Sequence, residues 1–110
     1  MFSYNTKIKE KINISNFVKR IKNYKSEQIE CTEHTFFRLS EKQSKIFTCE
    51  ELRQILLNEK PFLVGIQYNN NYTVFYKHNN KNLRIMLVIE PRKVKIVTFY
   101  YILEWQIPKI

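Results

Sequence analysis

Apolar residues along this chain recur with a helical period up to about residue 60 and alternate with a period of two after it. The first helical pattern consists of Ile14, Phe17, Val18 and Ile21. This spacing predicts an amphipathic helix with one apolar stripe, which Ser15 or Asn16 is expected to cap.

Two further helices are predicted before the period changes. Thr32 is placed to cap a helix that begins near Glu33, and Thr48 with Glu51 forms a capping-box pattern for a helix running to about Leu57. Each has an apolar face, so the two are expected to form a helical hairpin. Pro61 ends this region because the residue before a proline is disfavoured in the α conformation.

Four strands rich in Val, Ile, Phe and Tyr are predicted in the second half of the chain. They cover Phe62–Tyr68, Tyr72–His78, Leu83–Glu90 and Val94–Ile102. The loops between them are short, which favours an antiparallel β-meander. The sequence therefore predicts an α+β fold, in which N-terminal helices that form a hairpin pack on a four-stranded antiparallel sheet. Residues 1–28 would be a basic amphipathic helix and linker, and residues 29–110 the main α+β domain, the whole forming one compact unit.

The predicted register places cations among aromatic residues on one sheet face. If the loop 79–82 closes symmetrically, Lys77 lies opposite Arg84. Continuing the same register places Phe99 beside Arg84 and Lys95 beside Val88. That face would carry Phe75, Lys77, Arg84, Met86, Lys95, Phe99 and Tyr101. Two cations across a ladder repel, so the placement is favourable if a phosphate or base binds there. The alternative is a half-solvated face whose lysines oppose aggregation.

The excess of basic over acidic residues indicates what kind of partner the protein binds. Lys and Arg number 19 against 10 Asp and Glu, giving a formal net charge of +9. Such an excess favours a polyanion, with nucleic acid as the leading candidate. The basic residues of the first helix, Lys19, Arg20, Lys22 and Lys25, either form a solvated surface or extend a track for phosphates.

Other features exclude several classes of function. A span of roughly 20 apolar residues and a signal-peptide core are both missing from the sequence, which predicts a cytoplasmic protein without a membrane partner. Cys31 and Cys49 lack zinc-site spacing, so two reduced thiols and no metal are expected. The single glycine excludes a glycine-rich phosphate loop. Paired carboxylates are also hard to find, and no cofactor is predicted.

The best candidates for chemistry are His34 and Arg38. They are four residues apart, so on a helix they share one face and can act together on one anionic group. His78, beside an Asn-rich turn, is expected to be a solvent-exposed loop residue.

A motif of the form H-x-x-x-R-[LM]-x-E-[RK], followed by a meander whose last strand reads [IV]-[VI]-T-x-Y, resembles the small RelE/ParE-like toxin domains. These are grouped with barnase, EndoU and colicin-type ribonucleases, and the likeness is greatest to one of their families of unknown function. It covers residues 29 to 102 and rests on His34, Arg38, Leu39, Glu41, Lys42, Arg84 and the segment 96–100.

This resemblance implies metal-independent cleavage of RNA through attack by the ribose 2′-hydroxyl. His34 would be the general base, and Arg38 and Arg84 would hold the phosphate beside Thr98 and Tyr100. Residues implied in nucleic-acid binding are Lys77, Arg84, Lys95, Tyr76, Phe99 and Lys42. The expected partners are RNA, free or on the ribosome, and an antitoxin or immunity protein.

Two alternative functions are also compatible with the sequence. The chain is alternatively a non-catalytic nucleic-acid-binding module of a mobile element, which uses the same basic surface. It is alternatively an interaction protein whose exposed aromatic residues contact another protein.

Overall fold

A computed structural model of the protein describes residues 7–32 and 47–109. In chain order its elements are β1 (Ile8–Lys11), α1 (Ile14–Ile21), β2 (Ile29–Cys31), α2 (Cys49–Asn58), β3 (Leu63–Gln67), β4 (Tyr72–His78), β5 (Lys81–Ile89) and β6 (Val94–Ile102). Short 3₁₀ turns cover Ser26–Gln28 and Glu104–Gln106. Neither α1 nor α2, the helices of these ranges, is long and apolar enough to cross a bilayer.

The described strands form one mixed sheet in the order β1-β3-β4-β5-β6-β2. Four strand pairs are antiparallel, and only the pair of β2 with β6 is parallel. The four central strands follow one another along the chain as a meander. The edge strands β1 and β2 both come from the N-terminal part of the sequence.

The predicted fold class, a helical hairpin on a four-stranded antiparallel meander, is therefore wrong. Within the described ranges the fold has two separate helices and six strands of mixed direction. The sequence pattern missed β1 and β2 because four residues of IKEK and three of IEC are too short to show a period. The helix predicted to begin near Glu33 lies outside the described residues.

The four central strands and α2 do lie where the pattern places them, within one or two residues at their ends. At the start of α2, Thr48 Oγ1 accepts a hydrogen bond from Glu51 N at 3.1 Å, and Glu51 Oε1 accepts one from Thr48 N at 2.8 Å. This is the predicted capping box. The cap of α1 is Asn13, whose Oδ1 accepts from Asn16 N at 2.9 Å, and not Ser15 or Asn16.

Both helices pack on the same face of the sheet. Phe17 and Ile21 of α1 and Leu52, Ile55 and Leu56 of α2 are buried against it. Because α1 and β1 join this core and this sheet, the predicted N-terminal segment is packed on the rest of the protein. On the opposite face, Leu63, Phe75 and Ile102 form a smaller cluster with Ile8 and Ile107.

The predicted register of the meander is wrong at two places. Asn79 and Asn80, with φ of 53° and 63°, form a two-residue turn that pairs His78 with Lys81. Lys77 consequently lies opposite Asn82, and Arg84 lies opposite Phe75.

The second error lies in β6. Met86 pairs with Thr98 but Leu87 pairs with Ile96, so one extra residue, Val97, bulges out of the ladder. The bulge reverses the alternation of β6 and turns Phe99 towards the helices, opposite Ile85. Before the bulge, Lys95 pairs with Val88 as predicted.

Cys31 and Cys49 form a disulfide, with their Cα atoms 6.0 Å apart and a sequence separation of 18. The bond joins the last residue of β2 to the first residue of α2. The prediction of two reduced thiols is therefore wrong. Spacing alone did not reveal the pair, because the proximity depends on the parallel docking of β2 beside β6.

Candidate nucleic-acid interface

A continuous basic groove lies where β1 leads into α1 and where α2 ends. One part, of about 560 Å³, is lined by Lys11, Ile12, Asn13, Ile14, Ser15 and Lys60. The adjoining part, of about 400 Å³, is lined by Ser15, Val18, Lys19, Lys22, Asn58, Glu59 and Lys60. Ser15 and Lys60 belong to both, so the two parts form one surface, the basic groove.

Local folding explains why lysines line this groove. The apolar stripe of α1 buries Phe17 and Ile21, which leaves Lys19 exposed on the other side of the helix. Lys22, the C-cap of α1, is exposed as well. Lys60 is exposed just after the C-cap of α2, where Pro61 directs the chain towards β3. The amphipathic helix and the end of α2 thus set the cations around a shared concavity.

The groove has a net positive charge. Among the described residues, none of its four lysines forms an ion pair with a carboxylate. Glu59 is the one acidic side chain in its lining, and it is already bound to His78, whose Nδ1 lies 3.3 and 3.2 Å from the two carboxylate oxygens. The uncompensated charge suits an anion that bears several negative groups.

The charge continues along the edge strand β1. Residues 7–25 contain seven Lys or Arg residues and one acidic residue, Glu10. Lys7 and Lys9 are exposed, and Lys9 Nζ donates a hydrogen bond to Asn70 Oδ1 at 3.2 Å. The basic surface therefore extends from the groove along one edge of the sheet.

Two lysines on the other side of the sheet are paired with carboxylates. Lys93 Nζ lies 3.5 Å from Glu30 Oε1, and Lys95 Nζ lies 3.3 Å from Glu90 Oε2. Both pairs lie at the β2–β6 edge of the sheet, opposite to β1. The distribution of charge on the molecule is thus asymmetric.

Three of the residues predicted as catalytic share the sheet face that points away from the helices. They are Arg84, Thr98 and Tyr100, with Arg84 directly opposite Tyr100. Arg84 is only 7% exposed; its Nε donates to Thr73 Oγ1 at 2.8 Å, and its guanidinium lies 5.0 Å from the centre of the Phe75 ring. Burial lowers the pKa of Arg84, whereas the hydrogen bond to Tyr100 acts in the opposite direction.

The other predicted catalytic residues, His34 and Arg38, lie outside the described residues, as does Lys42. Their approach to Arg84 therefore stays a prediction.

Of the residues predicted to bind nucleic acid, two aromatic ones are in the core. Tyr76 is 0% exposed and Phe99 is 1% exposed, so neither ring offers a face on which a base can stack. Within the described part of the chain, the Tyr76 hydroxyl oxygen has no hydrogen-bond partner. Burial raises the pKa of Tyr76 well above its usual value, and the negative charge of Glu59 acts in the same direction.

Of the three lysines predicted to bind nucleic acid, the two that the structure describes, Lys77 and Lys95, lie near acidic groups. Lys77 donates to Asn82 Oδ1 at 2.8 Å and lies 3.5 Å from Glu104 Oε2. Lys95 is paired with Glu90. The predicted cationic sheet face is thus partly buried and partly neutralised, and the stronger cluster of cations is the basic groove.

The sequence prediction also missed the environment of His78. This residue ends β4, its side chain is 22% exposed, and its ring lies 5.4 Å from that of Phe47. The prediction of a solvent-exposed loop residue is therefore wrong. Alternate residues of a strand share one face, so Val74, Tyr76 and His78 lie on the same side of β4. This alternation could have placed His78 on the helix-covered face.

A metal site is not supported by the described residues, among which no group of three or more His, Cys, Asp or Glu side chains is placed to hold an ion. The lysine ammonium groups give the groove an excess of positive charge. Lysine acts as a point charge with three donors, which suits phosphate oxygens approached from several directions.

Comparison with known proteins assigns a family and no activity. No curated protein and no solved structure matches the chain. One family model matches residues 15–89, which extend from α1 to the end of β5 and include Lys19, Lys22 and Lys60 of the groove. Since this match covers more than half of the sequence, the chain belongs to the MJ0788 family.

Proposed function

We propose that this protein binds RNA, and that the basic groove holds the phosphates of the bound strand. The observation that carries the proposal is the set of four lysines, Lys11, Lys19, Lys22 and Lys60, which line one continuous concavity without carboxylate partners among the described residues. Each ammonium group that neutralises a phosphate releases a condensed counterion, and this release favours binding.

The position of the charge supports a polyanion over a small anion. The groove is continued by the exposed lysines of β1, so cations follow a path and are not gathered at one point. At the opposite sheet edge, Lys93 and Lys95 are already paired with glutamates. A strand of linked phosphates would therefore gain more on the groove side than on the β2–β6 side.

Salt dependence tests this directly. For single strands the slope of log K against log salt is about −0.7 per neutralised phosphate, so four contacts predict a slope of about −2.8. We expect Lys11→Gln with Lys60→Gln to reduce its magnitude by about 1.4. The matched control is Lys93→Gln with Lys95→Gln, which removes the same charge from the opposite edge and is expected to leave the slope close to that of the wild type.

Fluorescence anisotropy with a labelled single-stranded RNA, titrated between about 50 and 200 mM salt, gives both slopes. Equal effects of the two double variants would show that net charge, and not the groove, governs binding. An absence of binding at the lowest salt would overturn the proposal.

RNA cleavage is a second candidate function. Its support is the resemblance in sequence to RelE/ParE-like domains, together with the shared sheet face of Arg84, Thr98 and Tyr100. Hydrogen bonds to Thr73 and Tyr100 fix the orientation of the Arg84 guanidinium. A side chain that binds the phosphate at a catalytic site needs such a fixed orientation. In this proposal His34 takes the proton of the 2′-hydroxyl, and an antitoxin or immunity protein would restrain the activity.

The cleavage proposal predicts products with 2′,3′-cyclic or 3′-phosphate ends, formed in the presence of EDTA. Removing a positioned general base costs roughly a hundredfold or more in rate, so His34→Ala is expected to abolish cleavage nearly completely while RNA affinity persists. The cleavage proposal would be contradicted if the wild-type protein bound RNA but left it intact, both alone and with ribosomes. RNA binding would then be the remaining function.

A further inference from the structure

Large apolar side chains are exposed at four positions in the described part of the chain: Phe62, Tyr68, Leu103 and Trp105. Phe62 and Tyr68 lie at the two ends of β3, the strand that pairs with the basic edge strand β1. The two aromatic residues thus flank the strand next to the edge strand that carries the lysines. Proteins that bind single-stranded nucleic acids combine exposed aromatic rings with cations in this way.

Tyr68 is the more exposed of the two, at 61%. It directly follows Gln67, which pairs with Ile8 of β1, and it precedes Asn70, whose Oδ1 accepts the hydrogen bond from Lys9 Nζ at 3.2 Å. Tyr68 is therefore next to the lysines at the outer end of the basic surface. A ring with this exposure is available for stacking without any rearrangement of the core.

Phe62 lies at the other end of β3, two residues after Lys60 of the basic groove. It is 40% exposed, and its ring packs against Phe75 with centroids 6.1 Å apart. Contact with Phe75 holds the ring in place while part of its surface stays accessible. From Phe62 to Tyr68 the strand covers roughly 20 Å, at about 3.3 Å per residue, which is a length of several nucleotides.

We infer that the protein selects unpaired over duplex RNA, because Tyr68, with Phe62 as a second platform, stacks on bases while the neighbouring lysines hold the phosphates. This inference rests on the proposed RNA binding and adds the class of RNA to it. In a duplex the bases are already stacked and paired, so the rings have no base face to meet and only the charge contribution remains.

Affinities of variants for a single-stranded RNA, for the matching single-stranded DNA and for the duplex RNA test the inference. Stacking on one aromatic ring accounts for about 1 kcal/mol or more, so Tyr68→Ala is expected to weaken binding of single-stranded RNA by about fivefold or more. The salt slope is expected to stay unchanged, because no charge is removed. Affinity for the duplex is expected to stay the same as well.

Two variants keep the test specific. Tyr68→Phe retains the ring and is expected to bind single-stranded RNA like the wild type. Trp105→Ala removes a side chain that is 78% exposed after β6, and it is expected to have no effect. Far-UV circular dichroism checks that each variant is folded.

The outcomes separate this inference from the function on which it rests. Unchanged affinity of Tyr68→Ala for single-stranded RNA, or equal losses for single strand and duplex, would overturn the stacking inference while the lysine-dependent binding stands. A loss on Trp105→Ala in place of Tyr68→Ala would also overturn it. Similar weakening for single-stranded RNA and DNA would support stacking, since a base of either nucleic acid has the same ring face.

Discussion

Reduction of the Cys31–Cys49 bond is expected to lower the free energy of unfolding by about 3 kcal/mol at 25 °C. The bond closes a loop with a sequence separation of 18 residues, and the chain-entropy relation gives about 3 kcal/mol for loops of that length. The gain arises because the cross-link restricts the unfolded chain. It joins α2 to a short edge strand, since β2 has three residues and pairs with β6 alone.

The perturbation is Cys31→Ser combined with Cys49→Ser, compared with the wild type with and without a reducing agent. Urea unfolding followed by far-UV circular dichroism measures the effect. With an m-value of roughly 1–3 kcal/mol per molar, the urea midpoint is expected to fall by about 1 M or more. The reduced wild type and the double serine variant should unfold at similar urea concentrations.

The matched control is the double serine variant with reducing agent, which should show no further change. An unchanged urea midpoint of the wild type after reduction would contradict a stabilising role of the bond. Titration of two accessible thiols per molecule in unfolded, non-reduced protein would refute the disulfide itself.

Three further substitutions test the packing that positions the site, each measured by urea unfolding. Tyr76→Phe is expected to increase stability by roughly 1 kcal/mol, since it removes a buried hydroxyl without a hydrogen-bond partner among the described residues; a clear loss would mean that the oxygen is bonded. Gly65→Ala is expected to destabilise by roughly 1–3 kcal/mol, because its Cβ would lie 2.6 Å from Ile8 Cγ2, and Ile8→Ala in the same chain should recover part of the loss. Thr48→Ala should cost about 1 kcal/mol through the capping box, and an unchanged midpoint would contradict that role.

The sequence predicted the central strands and α2 because each carries a sustained period or a recognised cap. It did not predict the edge strands, whose pairing is decided by tertiary contacts. Ile8 packs with the cluster of Leu63 and Phe75, and only the folded sheet shows why IKEK is a strand. A short segment with one apolar residue has too little pattern to distinguish strand from loop.

The candidate site was partly predictable for the same reason. The sequence indicates a track for phosphates at the basic residues of the first helix as one of two alternatives. Lys11 and Lys60 join them only through the docking of β1 and α2. The predicted sheet face failed at Phe99, since a single bulge at Val97 reverses the alternation beyond it. Composition does not encode such a bulge, and neither does it encode the burial of Arg84.

An NMR titration tests most directly whether the nucleic acid binds in the basic groove. Amide resonances of the ¹⁵N-labelled protein would be followed while single-stranded RNA is added. Binding in the groove predicts the largest shifts in residues 7–25, in residues 58–62 and around Tyr68. Small shifts are expected at the β2–β6 edge around Lys93 and Lys95. Shifts concentrated at that edge, or on the face of Arg84 and Tyr100 with the groove unchanged, would contradict binding in the groove.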